Sequence, residues 1–362
     1  MSKRQHSHLD GDRTGKRPRR APKKHLYLVL DDWDTGFSIY KVDADTLQDT
    51  CTDVQLGFLD PPVLRFPVRR HDMGFTAFGN SIFIATNPRC PQTPTLIYDT
   101  ETAGITIGPS LPRSLLGGID ISVALGGMLY ALRSCHVGEQ HSFEAMSWAA
   151  TGNDELWYPR PDMDWSWKSV PSPPPFAADD IISSYALHPD GHTIFMSAHD
   201  RYYQHVPKGT FSFDTKRSEW RWHGEWALPF QGQGYYDSEL DAWIGLCNDG
   251  YICACEVASR RSESDLQPYW KIVKEKMFLK VPERRLAATS ATLAYMGNSN
   301  FCLVDCVQRE GVESVFDCCV LHMSTFGLKY DRRGELQTTR HCSNSCVVSK
   351  HILSFSPLVF WM

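Results

Sequence analysis

The side chains of this chain that could do chemistry fall into three groups. His188, His192, His199 and His205 crowd one stretch together with Asp200. Imidazoles in such a group can ligate a metal or move a proton near neutral pH. Here His188 and His192 bracket the Pro189–Gly191 turn, and His199–His205 falls in the loop that follows, so the group reads as a surface loop. Asp31, Asp32 and Asp34 form an acidic cluster after an apolar run. Clustered carboxylates suit Ca²⁺, but the longer loop and distal Glu of an EF-type site are missing. The expectation is a solvated turn. The third group is the twelve cysteines. Cys253 and Cys255 lie two apart and share one face of a strand. Cys302 and Cys306, Cys318-Cys319, and Cys342 and Cys346 gather toward the C-terminus, near His322 and His341. Zinc needs convergent ligands, usually from short knuckles on tight turns. Cys302 and Cys306 instead flank an apolar strand. Core packing is expected for Cys253, Cys255, Cys302 and Cys318 or Cys319. No nucleophile elbow surrounds Ser114, Ser183 or Ser184. Neither a Walker-type phosphate loop nor a G-x-G-x-x-G turn occurs. The chain therefore shows no catalytic motif, and no cofactor and no metal is expected.

The elements that must position these residues follow a repeated phrase. FGNSIFIA (Phe78–Ala85) returns as LGGMLYAL (Leu125–Leu132), PDGHTIFM (Pro189–Met196), NDGYICAC (Asn248–Cys255) and MGNSNFCL (Met296–Leu303). Each copy is a Gly-containing turn opening into an apolar run, the mark of a tight hairpin. The first turn residues are 79, 126, 190, 249 and 297, so the gaps are 47, 64, 59 and 48 residues. Such periods point to a repeat array whose units share a continuous core. Around each copy the order is strand, Gly turn, strand, long loop, strand, Asp turn, strand, proline exit. The Asp turn follows an aromatic residue in Tyr98-Asp99, Phe213-Asp214 and Tyr330-Asp331. Its carboxylate can accept backbone N–H groups and fix the turn. Trp167 and Trp220 or Trp222 are the aromatics expected to pack between neighbouring sheets. In the last repeat Phe316–Met323 and Phe326–Tyr330 read as two strands. Tyr202-Tyr203 and Tyr235-Tyr236 suit either a binding rim or packing between units.

The predicted fold is an all-β propeller of four-stranded blades, with six blades. Residues 1–24 are an expected disordered basic arm, 25–346 the propeller, and 347–362 a tail that can supply a closing strand. Ring closure would use the segment His25–Val42, as a blade of its own or paired with Val347–Trp361.

The aromatic–Asp turn and the Gly/Asn turn resemble kelch-type β-propeller repeats over roughly Phe75–Thr339. The Gly-Gly pair of kelch strands is replaced by Thr86-Asn87, Arg133-Ser134, Ala198-His199 and Asp305-Cys306. From the HLYLVLDDW opening onward, the chain is similar to a grass-plant family of kelch-like proteins of unknown function, related in style to F-box-associated kelch domains. No F-box precedes His25, so the ubiquitin-ligase role of F-box-kelch proteins is not carried over.

Composition sets the remaining bounds. The chain is 42% hydrophobic and 12% aromatic, enough for a large core. No apolar run is long enough to span a membrane, and the polar N-terminus lacks a secretory signal. Reduced thiols are the corresponding expectation. Residues 1–24 hold nine Lys/Arg against Asp10 and Asp12, a charge of +7, which leaves −12 on the other residues. The acidic body argues against a nucleic-acid surface other than the arm. Lys3, Arg4, Lys16, Arg17, Arg19, Arg20, Lys23 and Lys24 resemble a bipartite nuclear-import signal, which implies an import adaptor as one partner and favours the nucleus over the cytoplasm. The function expected is a non-enzymatic platform that binds a protein partner through loops such as Pro88–Pro94, His136–Ser142, Thr151–Asp164 and His199–Lys208. The alternative is a propeller enzyme with a polar site at the channel mouth.

Overall fold

Short alternating runs separated by Gly and Asp turns fold this chain as a series of antiparallel meanders. The computed structural model describes residues 23–32, 36–44, 47, 57–67, 73–87, 90, 93–134, 141–150, 163–203, 206–258, 267–277, 291–308, 319–348 and 357–362. The strands are β1 (Leu26–Asp31), β2 (Phe37–Val42), β3 (Gly57–Phe58) and β4 (Leu64–Phe66), then β5 (Gly74–Phe78), β6 (Ser81–Ala85), β7 (Thr95–Asp99) and β8 (Ile105–Gly108). They continue as β9 (Ile121–Leu125), β10 (Met128–Arg133), β11 (Ser142–Ala150) and β12 (Met163–Ser169), and as β13 (Asp180–Leu187), β14 (Thr193–Asp200), β15 (Pro207–Asp214) and β16 (Glu219–Gly224). The last nine are β17 (Gln231–Asp237), β18 (Ala242–Leu246), β19 (Ile252–Glu256), β20 (Trp270–Ile272), β21 (Ala291–Gly297), β22 (Asn300–Gln308), β23 (Cys319–Tyr330), β24 (Leu336–Val348) and β25 (Leu358–Trp361).

Among the described residues these strands make six four-stranded units. Five run in chain order, from β5–β8 to β21–β24, and the short β3 lies parallel to the outer strand β24. The remaining unit has the order β25-β1-β2-β4. Its inner strand comes from the other end of the chain: Leu26 lies opposite Trp361 and Val29 opposite Leu358. His25 and Met362 exchange backbone hydrogen bonds of 2.6 and 3.0 Å beyond the last pair. The fold is a β-propeller.

Alternation explains why the second strands are largely apolar on both faces. On β1, Leu26, Leu28 and Leu30 pack against the β21–β24 unit, while Tyr27 and Val29 pack against the β5–β8 unit. On β6, Ile82 and Ile84 face the first unit, and Phe83 and Ala85 face the β9–β12 unit. On β18, Ile244 turns to the β21–β24 unit and Trp243 to the β13–β16 unit. Successive side chains point to opposite faces, and each sheet is sandwiched, so a strand buried on both faces carries no polar alternation. The buried clusters accordingly lie between neighbouring units, and the β21–β24 unit packs back on β1.

The Asp turns work as expected. Asp99 accepts the N–H groups of Glu101 and Thr102, Asp214 those of Lys216 and Arg217, and Asp331 those of Arg333 and Glu335, at 2.8–3.2 Å. Trp167 packs edge-on to Phe83 of the preceding unit, and Trp220 sits 5.5 Å from Phe143 of the unit before its own. Trp222 does not share this role, being 47% exposed on the outer strand β16. Among the described residues, the two strands expected in the last repeat are one continuous β23, since a register shift between Thr325 and Gly327 absorbs the break. The boundary drawn at residue 346 falls inside β24.

Candidate functional site

The meander gives the molecule two unlike faces. Each inner strand starts on one face and ends on the other. The face where inner strands end carries the short turns: Gly79-Asn80, Gly126-Gly127, Asp190-Gly191 and Asn298-Ser299, together with the Asp turns after Asp99, Asp214 and Asp331. The opposite face carries the longer connections after β6, β10, β14 and β22 and those between units. It also carries the Asn248–Gly250 turn, which joins β18 to β19, the second and third strands of its unit, and not the first to the second as in the other copies of the repeated phrase. Three of the loops singled out from the sequence (Pro88–Pro94, His136–Ser142 and His199–Lys208) join strand ends on this long-loop face. The fourth, Thr151–Asp164, joins β11 to β12 on the short-turn face; residues 151–162 lie outside the described residues.

A cavity of about 870 Å³ runs along the axis. It is walled by the inner strands β5, β9, β13, β17, β21 and β25. These strands are tied to one another. The hydroxyls of Thr76 and Ser122 bond across β5 and β9. β13 pairs in parallel with β17, and the Tyr235 hydroxyl donates to the Leu293 carbonyl at 3.0 Å, across β17 and β21. Among the described lining residues there is no Lys, Arg or Glu, one carboxylate (Asp120) and one imidazole (His199).

At the long-loop end Ser183 and His199 form a pair. The β13–β14 ladder skips Ser183, passing from Ile182 to Ser184. Such a bulge re-aims a side chain. The Ser183 Oγ lies 2.7 Å from Nδ1 of His199 and 3.3 Å from the Ser197 carbonyl, to which it can donate. Burial pushes the His199 imidazole below its ordinary value, which keeps it neutral at neutral pH. Asp120, at the start of β9, accepts the backbone N–H of Ser134. Asn248 and Gln231 line the same end. Toward the short-turn end stand Tyr185, Tyr235 and Tyr295; burial raises the phenols of Tyr185 and Tyr295 to about 12. None of them ionises in the ordinary range.

The histidines that crowd together in sequence separate in space. His188 and His192 lie on the short-turn face, where Nδ1 of His188 is 3.0 Å and that of His192 3.5 Å from the Asp190 carboxylate. His199 is at the other end of β14, and His205 lies outside the described residues. Among the described residues no group of three or more His, Cys, Asp or Glu is placed to hold a metal. Asp32 is not a solvated group: it is 8% exposed, and the Ser38 hydroxyl donates to it. Burial raises its carboxyl above the usual range. Asp34 lies outside the described residues. Cys253, Cys255, Cys302 and Cys319 are buried in the core, as expected from their runs. Burial pushes the thiols of Cys255 and Cys302 up to about 12, far from nucleophilic use. Cys342 differs from the reduced-thiol expectation, being disulfide-bonded.

Tyr235 packs between units, whereas Tyr202 and Tyr203 stand out 66% and 62% exposed. Of the import-signal residues, Lys3, Arg4, Lys16, Arg17, Arg19 and Arg20 lie outside the described residues; Lys24 is exposed, and Lys23 pairs with Asp43 at 2.5 Å. Among the described residues no helix is long and apolar enough to cross a membrane.

No elbow motif surrounds Ser183, so its residue context does not single it out. A register skip leaves no mark in residue types, so only the adjacency of Ser183-Ser184 to an otherwise apolar strand hinted at a polar inner edge.

Several solved structures resemble this chain at low identity. The Nidogen/Laminin complex matches at 6% identity and a TM-score of 0.41, covering 90% of this chain and 98% of that chain. The beta-propeller domain of Myceliophteria thermophila Cps50 (Swd1) matches at 9% and 0.38, covering 85% and 80%. The periplasmic gluconolactonase PpgL of Pseudomonas aeruginosa matches at 10% and 0.43, covering 93% and 98%. No curated protein matches the sequence. Residues 23–347 match the family described as Protein of unknown function (DUF1668), and the chain belongs to that family.

Proposed function

We propose that this protein is a non-enzymatic binding platform that takes a protein or peptide partner on its long-loop face. The observation that carries this reading is the Tyr202-Tyr203 turn. Asp200 accepts the N–H groups of both tyrosines at 2.9 and 3.0 Å and holds Lys208 at 3.0 Å. The two rings are therefore exposed on a braced turn, three and four residues beyond the channel-lining His199. Tyrosine offers a large amphipathic contact at a low ordering cost, and a braced turn lowers that cost further. The units themselves we read as diverged kelch repeats, on the strength of the aromatic–Asp turns at Asp99, Asp214 and Asp331.

The test is affinity capture with three full-length baits: the native chain, a Tyr202→Ala/Tyr203→Ala variant, and an Arg332→Ala control on the short-turn face. The expected result is a partner held by the native chain and the control and lost by the tyrosine variant. Equal recovery on the tyrosine variant, or no partner above background, would sink this reading.

A second reading, a propeller enzyme working at the channel mouth, is favoured by one contact, the 2.7 Å approach of Ser183 to His199 inside the cavity. A hydroxyl beside a neutral imidazole is the start of an acyl-transfer site. It requires turnover of an activated ester such as p-nitrophenyl acetate that vanishes in Ser183→Ala; equal rates in the two proteins reject it.

A further inference from the structure

The long-loop end of the axial cavity has a chemistry separate from the tyrosine turn. Among its described lining residues the ionisable groups are few: Asp120 is a carboxylate, and His199 is buried enough to stay neutral. An anionic ligand would find no Lys or Arg there, and a dicationic one would meet a single carboxylate. What the walls do supply is a set of side chains that both donate and accept. The amides of Gln231, Gln233 and Asn248 and the hydroxyl of Ser183 are of this kind. A ligand hydroxyl also donates and accepts, so several hydroxyls on one small frame can satisfy such a wall without any net charge. Phe75 and Phe230 add apolar surface, against which the C–H face of a ring can pack. The volume of about 870 Å³ holds one small ligand with room for water. The walls are fixed by the Thr76–Ser122 and Tyr235–Leu293 hydrogen bonds between units, so the space is largely pre-formed.

We propose that the long-loop end of the channel binds a small, neutral, polyhydroxylated ligand of the mono- or disaccharide class, held by Asp120, Ser183, Gln231 and Asn248. The site uses none of the residues of the tyrosine turn. A ligand there can be found or missed independently of a protein partner.

The experiment is calorimetric titration of the full-length protein with glucose, galactose, xylose, cellobiose and myo-inositol. Glucuronate and glucosamine serve as the anionic and cationic controls. The expected result is saturable binding of at least one neutral probe, on the order of millimolar or tighter, with the charged analogues no tighter than their neutral parent. Asn248→Ala and Gln231→Ala should each weaken that binding about tenfold, with thermal unfolding unchanged. The proposal is overturned if no neutral probe saturates, if glucuronate or glucosamine binds more tightly than glucose, or if neither substitution changes the affinity.

Discussion

Phe230 shows how a single side chain sets the channel wall. It is 3% exposed, and its ring lies across two glycines. A Cβ on Gly234 would come within 2.3 Å of the ring tip, and one on Gly245 within 2.3 Å of the ring base. Gly245 sits in the middle of β18, where a glycine weakens a strand through lost packing and added entropy. Here its bareness is what admits the ring. Gly245→Ala is therefore expected to displace Phe230 and to cost about 1–3 kcal/mol, read as a lower urea midpoint. Combining it with Phe230→Leu should recover part of that loss. A midpoint equal to that of the native chain would show that the ring is not pinned there. In the sequence, the W-I-G-L run announces only a strand with a gap; the partner that fills the gap, Phe230, lies fifteen residues before Gly245 and leaves no local trace.

At the scale of elements, apolar strands between good turns were legible to the residue. Phe37–Val42 and Ser81–Ala85 end where their patterns end, because both faces of each are buried and the turns are fixed by Gly36 and Gly79 at positive φ. Two of the longer strands escaped, as did the short β3 and β4. β17 reads QGQGYYD because one side faces a polar cavity and its neighbour Phe230 requires Gly234. β24 reads LQTTRHCSNSCVV because an outer strand is half solvated. Both are held by ladder hydrogen bonds more than by apolar pattern, so periodicity does not report them. β25 was legible only as an apolar tail. Its four residues supply the inner strand of the first unit, with Val359 buried in the cluster between that unit and β21–β24. A chain lacking residues 357–362 would leave the inner edge of β1 unpaired and bare. The expected outcome is loss of a cooperative thermal transition together with binding of a hydrophobic dye, while a chain lacking residues 1–22 keeps both the transition and its midpoint. A midpoint within about 2 °C of the full chain after the C-terminal deletion would mean that the first unit does not depend on its closing strand.

At the scale of the whole molecule, the sequence carried the architecture further than the site. Repeats with Gly turns and Asp turns imply stacked sheets, because each sheet alone would expose two apolar faces. They do not say which loops share a face. That follows only from counting strand directions, which separates Thr151–Asp164 from the other three loops and His188 and His192 from His199. Charge is divided along the chain in a comparable way. The first 24 residues carry +7 and the remainder −12, and the two regions meet where Lys23 pairs with Asp43 at the end of β2. An acidic body repels nucleic acid at long range and does not compete with a basic arm for an acidic import receptor. The basic arm is accordingly proposed to act in import, not in nucleic-acid binding. Residues 1–24 fused to a fluorescent reporter should concentrate it in the nucleus, and replacing Lys16, Arg17, Arg19 and Arg20 with Ala should return it to an even distribution. An intact arm that leaves the reporter evenly spread would refute the import role. Retention of the full chain on a DNA column that drops when residues 1–22 are removed would assign those charges to nucleic acid instead.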